Sequence, residues 1–266
     1  MSTDQKKLFI SSWNVLHIIH ELNYAADHSL VLEKYNDKEN ERLDDIITYI
    51  TARVKLASDI LCFQEVPGDL YDRLESKFPN YTILGYRYER QPKLRKVATN
   101  PYKNTDEYLV ILIANDIVKF VTETKIVQFD DKGKAAQLIK FSSKDSNGFD
   151  LCVVNVHLNI GKAASKSLRQ VFEKLAEQKW ERYFLIGDLN MSYTQLKKEL
   201  DQIIPNKYFT PYVNGNTHIS KYGGQIKLTK KTHIVASNDL KPKTLPVIPN
   251  DSLSDHYMVS TSMEII

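Results

Sequence analysis

Five short apolar segments of this 266-residue chain each stop at a small knot of amides, carboxylates or imidazoles. The knots are Trp13-Asn14, Gln64-Glu65, Asn155-Val156-His157, Gly187-Asp188-Leu189-Asn190 and Ser254-Asp255-His256. Apolar runs of that length read as buried strands. A buried strand gains nothing from ending in unpaired acids and imidazoles, because an uncompensated buried charge is costly. If several of these ends converge, their polar groups can share a hard cation and a phosphate, which satisfies them together.

Between these segments the periodicity changes. Leu43, Ile46, Ile47, Ile50 and Val54 recur at three- and four-residue steps and predict an amphipathic helix from Glu41. Pro67 and Gly68 open a second helix reaching about Lys77, and Leu168, Val171, Phe172 and Leu175 mark a third. Ser192 followed by Gln195 resembles a helix capping box. Further strands are expected at 81–84, 108–114, 117–129, 135–141, 149–158, 233–237 and 257–265, with a hairpin turn at Asn147-Gly148. The stretch 17–40 reads as loop or irregular helix, and the chain past Pro205 as loop-rich. Neither a repeat nor a linker composition appears, so residues 1–266 are read as one domain. Hairpin signals mixed with strand-helix-strand segments imply a mixed sheet, or two packed sheets, with helices outside.

The chemistry at the strand ends suits a hard cation. Glu65 and Asp255 offer oxygen ligands for Mg²⁺ or Mn²⁺, and Asn14 offers a neutral oxygen. Asp188 and Asn190 stand two apart, so strand alternation would place both on one face. Singly each cluster is weak, since an isolated Asp-x-Asn is more often a turn.

The order of the clusters carries more. SSWNV (11–15), DILCFQEV (59–66), VVNVHL (153–158), FLIGDLN (184–190) and LSDHYMV (253–259) together resemble the endonuclease/exonuclease/phosphatase superfamily. That resemblance implies an α/β fold of four layers: two packed mixed β-sheets flanked by helices, with the site at one rim. It implies that Glu65 is the principal metal ligand, with Asn14 and Asp255 in the metal and phosphate shell. Asp188 would orient or deprotonate the attacking water, Asn190 and His157 would hold phosphoryl oxygens, and His256 would stabilise developing charge. The implied activity is Mg²⁺- or Mn²⁺-dependent hydrolysis of a phosphoester.

One position departs from the family. An Asp usually precedes the last motif on its own strand and pairs with the histidine matching His256; here that place holds Thr232. Either another acid, such as Asp239 or Asp251, supplies the partner, or His256 works less basically, or activity is weakened or lost.

For the substrate, a basic run with tyrosines from Arg87 to Lys96 could follow a phosphate backbone, or be a solvated loop. Lys221, Lys227, Lys230 and Lys231 form a second basic group, and Arg169 follows His157 on a helix. Arg169, Lys230 and Lys231 are the candidate substrate contacts. The inositol 5-phosphatase Trp-Cys-Asp-Arg signature is missing near Thr232, and the secretory signal and inserting hairpin of sphingomyelinases are not evident. Nucleic acid is left as the expected partner; a small phosphate ester, or a degenerate binding module, are the alternatives.

Other chemistries are disfavoured. Ser254-Asp255-His256 are adjacent and cannot line up as a triad, and no GxSxG elbow exists. His17 and His20 lack the glutamate and spacing of a zinc-protease helix. Cys62 and Cys152 both sit in apolar runs and read as inert core, which fits a reducing compartment. The net charge of +3 is too small to mark the whole surface for nucleic acid. No apolar run reaches spanning length, so the expectation is a cytoplasmic monomer without integral membrane association.

Overall fold

The computed structural model describes residues 7–24, 29–54, 58–95, 100–142, 150–222 and 225–264. In chain order the elements begin with β1 (Lys7–Asn14), α1 (Ile18–Tyr24), α2 (Leu30–Tyr35), α3 (Glu39–Val54), β2 (Ile60–Pro67) and α4 (Gly68–Lys77). Then come β3 (Tyr81–Arg87), β4 (Glu107–Ala114), α5 (Asn115–Val118), β5 (Val121–Gln128), β6 (Ala135–Ser142) and β7 (Asp150–His157). The second half holds α6 (Lys162–Glu177), β8 (Tyr183–Asp188), α7 (Tyr193–Ile203), β9 (Tyr208–Phe209) and β10 (His218–Tyr222). It ends with β11 (Gln225–Thr229), β12 (Thr232–Ser237), β13 (Lys243–Thr244) and β14 (Val259–Glu264).

Two six-stranded sheets result, in the orders β13-β14-β1-β2-β4-β3 and β5-β6-β7-β8-β12-β9. Each contains a single parallel pair at its centre: β1 with β2, and β7 with β8. Every other pairing is antiparallel. Residues alternate across each sheet. Ile10, Ile60, Cys62 and Ile111 from the first meet Ile139, Val153, Phe184 and Ile186 from the second in one inter-sheet core. The outer face of the first sheet packs Leu61 and Phe63 against Leu43, Ile46 and Ile50 of α3. That of the second packs Val154 and Leu185 against Leu168 and Val171 of α6 and Leu196 of α7. Each such buried aliphatic contributes about 1.5–3 kcal/mol. Helix, sheet, sheet and helix make the expected four layers.

Several local expectations change. The strand foreseen over 117–129 begins only at Val121, because Asn115 and Asp116 initiate the single helical turn of α5 that reverses the chain. Residues 17–40 contain two short helices, α1 and α2. The loop-rich region past Pro205 holds the separate β10–β11 hairpin. Ser192 caps α7 by accepting from the Gln195 N–H at 3.2 Å. The Asn147-Gly148 turn lies outside the described residues. No helix among the described residues is long and apolar enough to cross a membrane.

Candidate active site

The parallel pairs bring their carboxyl ends to one rim, and the polar knots meet there. Asn14 closes β1 and His157 lies in register with Asp188 across β7 and β8. The Asn14 amide donates to Glu65 Oε1 at 3.0 Å and to Asp188 Oδ2 at 3.2 Å. His157 Nε2 lies 3.4 Å from Glu65 Oε1 and 3.6 Å from Asp188 Oδ2. His256 Nε2 lies 3.6 Å from that same Asp188 oxygen.

Glu65 reaches this point through a backbone irregularity. Strand alternation would send it outward with Leu61 and Phe63, toward α3. Instead the β2–β4 register shifts between Phe63 and Val66, and Glu65 adopts a left-handed φ of 54°. The bulge re-aims the side chain into the rim, which is what bulges next to sites do. Glu65 Oε2 then accepts from the His17 N–H at 3.3 Å.

Asp188 is positioned differently. Gly187 has φ 154°, and a Cβ there would lie 2.0 Å from the Val156 carbonyl oxygen. Only glycine allows β7 and β8 to approach so closely before Asp188. The strand ends at Asp188, and Asn190, with φ 51°, lies beyond it. Asp188 Oδ1 accepts from the Asn190 N–H at 3.0 Å, and the Asn190 amide donates to the Leu158 carbonyl at 2.9 Å. The pair is thus joined by a turn around the Asp188 carboxylate, not by alternation on a strand.

The last motif is stitched onto the first strand. Trp13 Nε1 donates to the His256 carbonyl at 2.8 Å, and the Ser254 hydroxyl donates to the Asn14 carbonyl at 2.7 Å. Asp255 faces His218 of the β10–β11 hairpin, with Oδ2 3.3 Å from Nε2. The His218 ring stands edge-on to His256 at 4.7 Å. Thr232 lies in register with Asp188, yet its hydroxyl and His256 Nδ1 are both buried without a hydrogen-bond partner. Asp239 is committed to Arg182 and Ser237, and Asp251 to Lys34. Neither proposed substitute acid serves His256; the acids at its ring are Asp188, 3.6 Å from Nε2, and Asp255, which gathers with His218 and His256 so that one ligand atom of each lies within 4.8 Å of the others.

Several participants were invisible to sequence reasoning. Lys134, from the turn between β5 and β6, places Nζ against the His157 ring and 4.0 Å from Glu65 Oε1. His20 Nε2 lies 3.1 Å from Glu107 Oε2 and 4.0 Å from Glu65 Oε2. Beneath the rim, the Gln64 amide donates to Asn155 Oδ1 at 2.7 Å, and Asn155 donates to the Phe63 and Val110 carbonyls. That clasp joins the two sheets under the convergence point. Arg42, fully buried, is paired with Glu39 and donates to the carbonyls of Val15, Leu16 and Leu253. It holds the loop after β1 to the loop of the last motif. Arg42 sits among the polar positions of a helix that reads as amphipathic, so no local pattern distinguishes it.

The candidate substrate contacts separate. Lys231 flanks Asp188 and helps to hold its carboxyl low. Lys230 is engaged by the Val213 carbonyl and lies 3.4 Å from the centre of the Tyr212 ring. Arg169 is an exposed residue of α6 without an ion pair among the described residues. In the basic run, Arg87 pairs with Asp106 and Arg90 with Asp131, while Tyr88 is fully buried. Tyr88 is therefore closed to stacking, whereas Tyr86 is only partly buried; Lys96 lies outside the described residues. A small cleft of about 70 Å³ opens beside Asp255, bordered by Glu21, Ser29, Ile219, Lys221 and Tyr257.

Burial and charge set the protonation states. Burial and the Lys134 ammonium lower His157 to about 3 despite the nearby carboxylates, so its ring is neutral. Burial likewise lowers His17 to about 3. At His20 burial is outweighed by Glu107 and Glu65, which raise it to about 9. Burial disfavours charge on Glu65, but His20, Lys134 and the Asn14 amide hold its carboxyl far below the usual range. Asp188 is likewise desolvated, yet His256, Lys134 and Lys231 keep it low. The rim therefore presents ionised carboxylates, a neutral imidazole and an ammonium within a few ångströms. Such a set can take up a cation and an oxyanion together.

No protein-family model matches the chain, and no curated protein matches it in sequence. Solved structures do. A Bacteroides thetaiotaomicron endonuclease/exonuclease/phosphatase family protein is similar over 98% of this chain and 98% of its own, with TM-score 0.70 and 18% identity. ANGEL2, a 2′,3′-cyclic phosphatase in complex with adenosine-2′,3′-vanadate, matches over 98% and 97%, with TM-score 0.71 and 12% identity. D. rerio TDP2 complexed with single-strand DNA product matches over 97% and 99%, with TM-score 0.66 and 15% identity. The chain has the fold of the endonuclease/exonuclease/phosphatase proteins.

Proposed function

We propose that the protein is a divalent-metal-dependent phosphodiesterase that cleaves nucleic acid by in-line attack of water on phosphorus. The observation that carries this reading is the meeting of Glu65, Asp188, Asn14, His157 and His256 at one rim, although they come from distant stretches of chain. The donor set fits a hard cation. Glu65 presents a buried carboxylate whose Oε2 accepts from the His17 N–H at 3.3 Å and lies 4.0 Å from His20 Nε2, and Asp255 lies close enough to feel its charge. Glu65 would hold the ion, with Asp255 as its neighbour across the rim. A bound Mg²⁺ or Mn²⁺ supplies Lewis-acid polarisation of the phosphoryl oxygens and neutralises leaving-group charge.

The chain's own groups do the rest. Asp188, ionised and fixed by the N–H groups of Asn14 and Asn190, accepts a proton from the attacking water. Lys134 and Lys231 supply positive charge beside the equatorial oxygens, where negative charge spreads in the transition state. His256 stands on the other side of Asp188 and donates toward the phosphoryl group. Asn14 turns its nitrogen to the carboxylates, while its oxygen accepts from the Leu16 N–H. In this arrangement its nitrogen orients both acids, and its oxygen keeps a second lone pair for the ion's shell. Asn190 likewise acts by holding Asp188.

Nucleic acid is favoured by the flanking lysine and by the fold's occurrence in TDP2 bound to a DNA product. The decisive experiment offers single- and double-stranded oligonucleotides and bis(p-nitrophenyl) phosphate, with Mg²⁺ or Mn²⁺ and with EDTA. Cleavage that requires metal and disappears in Asp188→Asn is the expected result. Absence of hydrolysis on every ester, with a normal fold, would leave a binding module.

A further inference from the structure

We propose that His20, Glu65 and Glu107 together seat the divalent cation, and that this set selects Mn²⁺ and its transition-metal neighbours over Mg²⁺. The inference rests on the reading of Glu65 as a metal residue and adds two ligands to it. One ligand atom from each of the three residues lies within 4.8 Å of the others. The β2–β4 bulge creates the arrangement: past it, Pro67 pairs with Glu107, so the Glu107 side chain stands beside the re-aimed Glu65.

Glu65 has two differently used oxygens. Oε1 is turned to Asn14, His157 and Lys134, the side of the attacking water and phosphate. Oε2 is turned to His20 and, through it, to Glu107. Glu107 is 3% exposed, and His20 alone holds its carboxylate by a hydrogen bond among the described residues. Glu65 and Glu107 both turn an oxygen to the His20 imidazole, and an ion seated among the three would take the place of the proton that His20 otherwise holds between them. His17 adds a second observation. It is fully buried, neither ring nitrogen has a well-formed hydrogen bond among the described residues, and its ring stands edge-on to Tyr102 at 4.7 Å and to His20 at 5.8 Å. The His20 side chain is 37% exposed, which leaves an entry for the ion and room for water and substrate oxygens.

The donor types decide the metal. Mg²⁺ prefers an all-oxygen octahedron and keeps its waters. One imidazole nitrogen with two carboxylates suits Mn²⁺, Fe²⁺, Co²⁺ or Zn²⁺ better. Titrating the intact protein with Mn²⁺ and Mg²⁺, by calorimetry and by loss of the free-Mn²⁺ electron paramagnetic resonance signal, tests this. Mn²⁺ is expected to bind about tenfold or more tightly than Mg²⁺. Glu107→Gln and His20→Asn should each weaken Mn²⁺ binding by about tenfold or more, and His20→Asn should narrow the gap to Mg²⁺. His20 lies at the mouth, so that variant tests the idea even if Glu107→Gln misfolds. Equal affinity for both metals would overturn the proposal. So would Mn²⁺ binding unchanged in both variants but lost in Glu65→Gln, which would leave the Glu65 reading standing.

Discussion

The two sheets solve one problem by opposite means. Among the described residues each carries one parallel pair, at its centre, and each pair delivers one carboxylate to the rim. In the first sheet Glu65 arrives through a bulge with left-handed backbone inside an otherwise regular strand. In the second, Asp188 ends a regular strand, and the unusual geometry is carried by the neighbouring Gly187 and Asn190. The outcomes differ accordingly. Asp188 is 1% exposed and both its oxygens are held by N–H donors, whereas Glu65 keeps an oxygen facing His20 at the open mouth. A sealed carboxylate suits proton transfer in a fixed direction, and an accessible one suits an exchangeable ion.

The largest effect should come from separating those roles. Asp188→Asn is expected to lower kcat by about 10³–10⁴-fold at any metal concentration. Glu65→Gln should recover part of its lost activity as metal is raised, because a ligand rather than a base is missing. Similar responses of the two variants to added metal would erase the distinction.

The backbone devices predict stability changes of different size. Gly187→Ala pushes a methyl into the Val156 carbonyl and should cost about 3 kcal/mol or more in urea unfolding. Glu65→Gly loses the Asn14, His20 and Lys134 partners of the carboxylate but relieves a left-handed non-glycine residue, so it should abolish hydrolysis at a smaller stability cost than Gly187→Ala. A large loss of stability in Glu65→Gly would mean that the carboxylate, not the bulge, organises the first sheet.

The imidazoles extend the contrast into pH. His157 and His17 are lowered in the folded state to about 3 from an ordinary 6.5. Below pH 6.5 the unfolded chain takes up protons that the folded one refuses. Stability therefore falls with acidity, by about 1.4 kcal/mol per pH unit for each ring. His20 has the opposite sign. Raised to about 9, it stabilises the fold fully below pH 6.5, and that contribution is lost as pH rises toward 9. Its 37% side-chain exposure screens the effect, so the alkaline limb should be the shallower one. Urea midpoints across pH 4–9 check this; His20→Asn should flatten the alkaline limb and spare the acid limb.

The smallest effect concerns the lysines. Lys231→Met should raise KM for an oligonucleotide by about three- to tenfold, as the loss of one charge beside the phosphate. Lys230→Met and Arg169→Ala should change it by less than about twofold, since Lys230 is spent on Tyr212 and Arg169 faces solvent on α6.

Much of this molecule was legible in one dimension. The apolar runs, their polar ends and the helical periodicities between them announce strands, helices and a shared rim, because burial is written locally as pattern. Glu65, Asp188, His157 and His256 could be picked out as a group, since each lies beside its own apolar run and their order is distinctive. Arg169 and Lys230 could not be distinguished from Lys231, because a lysine's partner lies wherever the fold puts one.

By itself, the sequence determined which segments are buried and which polar groups must find each other. Only the tertiary structure decided that Glu65 is turned inward by a bulge and that Asp188 and Asn190 share a turn. It alone supplied Lys134, His20, Glu107 and Arg42, whose neighbours lie up to 211 residues away. The reason is physical: patterns of burial are set by solvent one residue at a time, whereas charge pairing and backbone strain depend on surfaces that exist only after the sheets have packed.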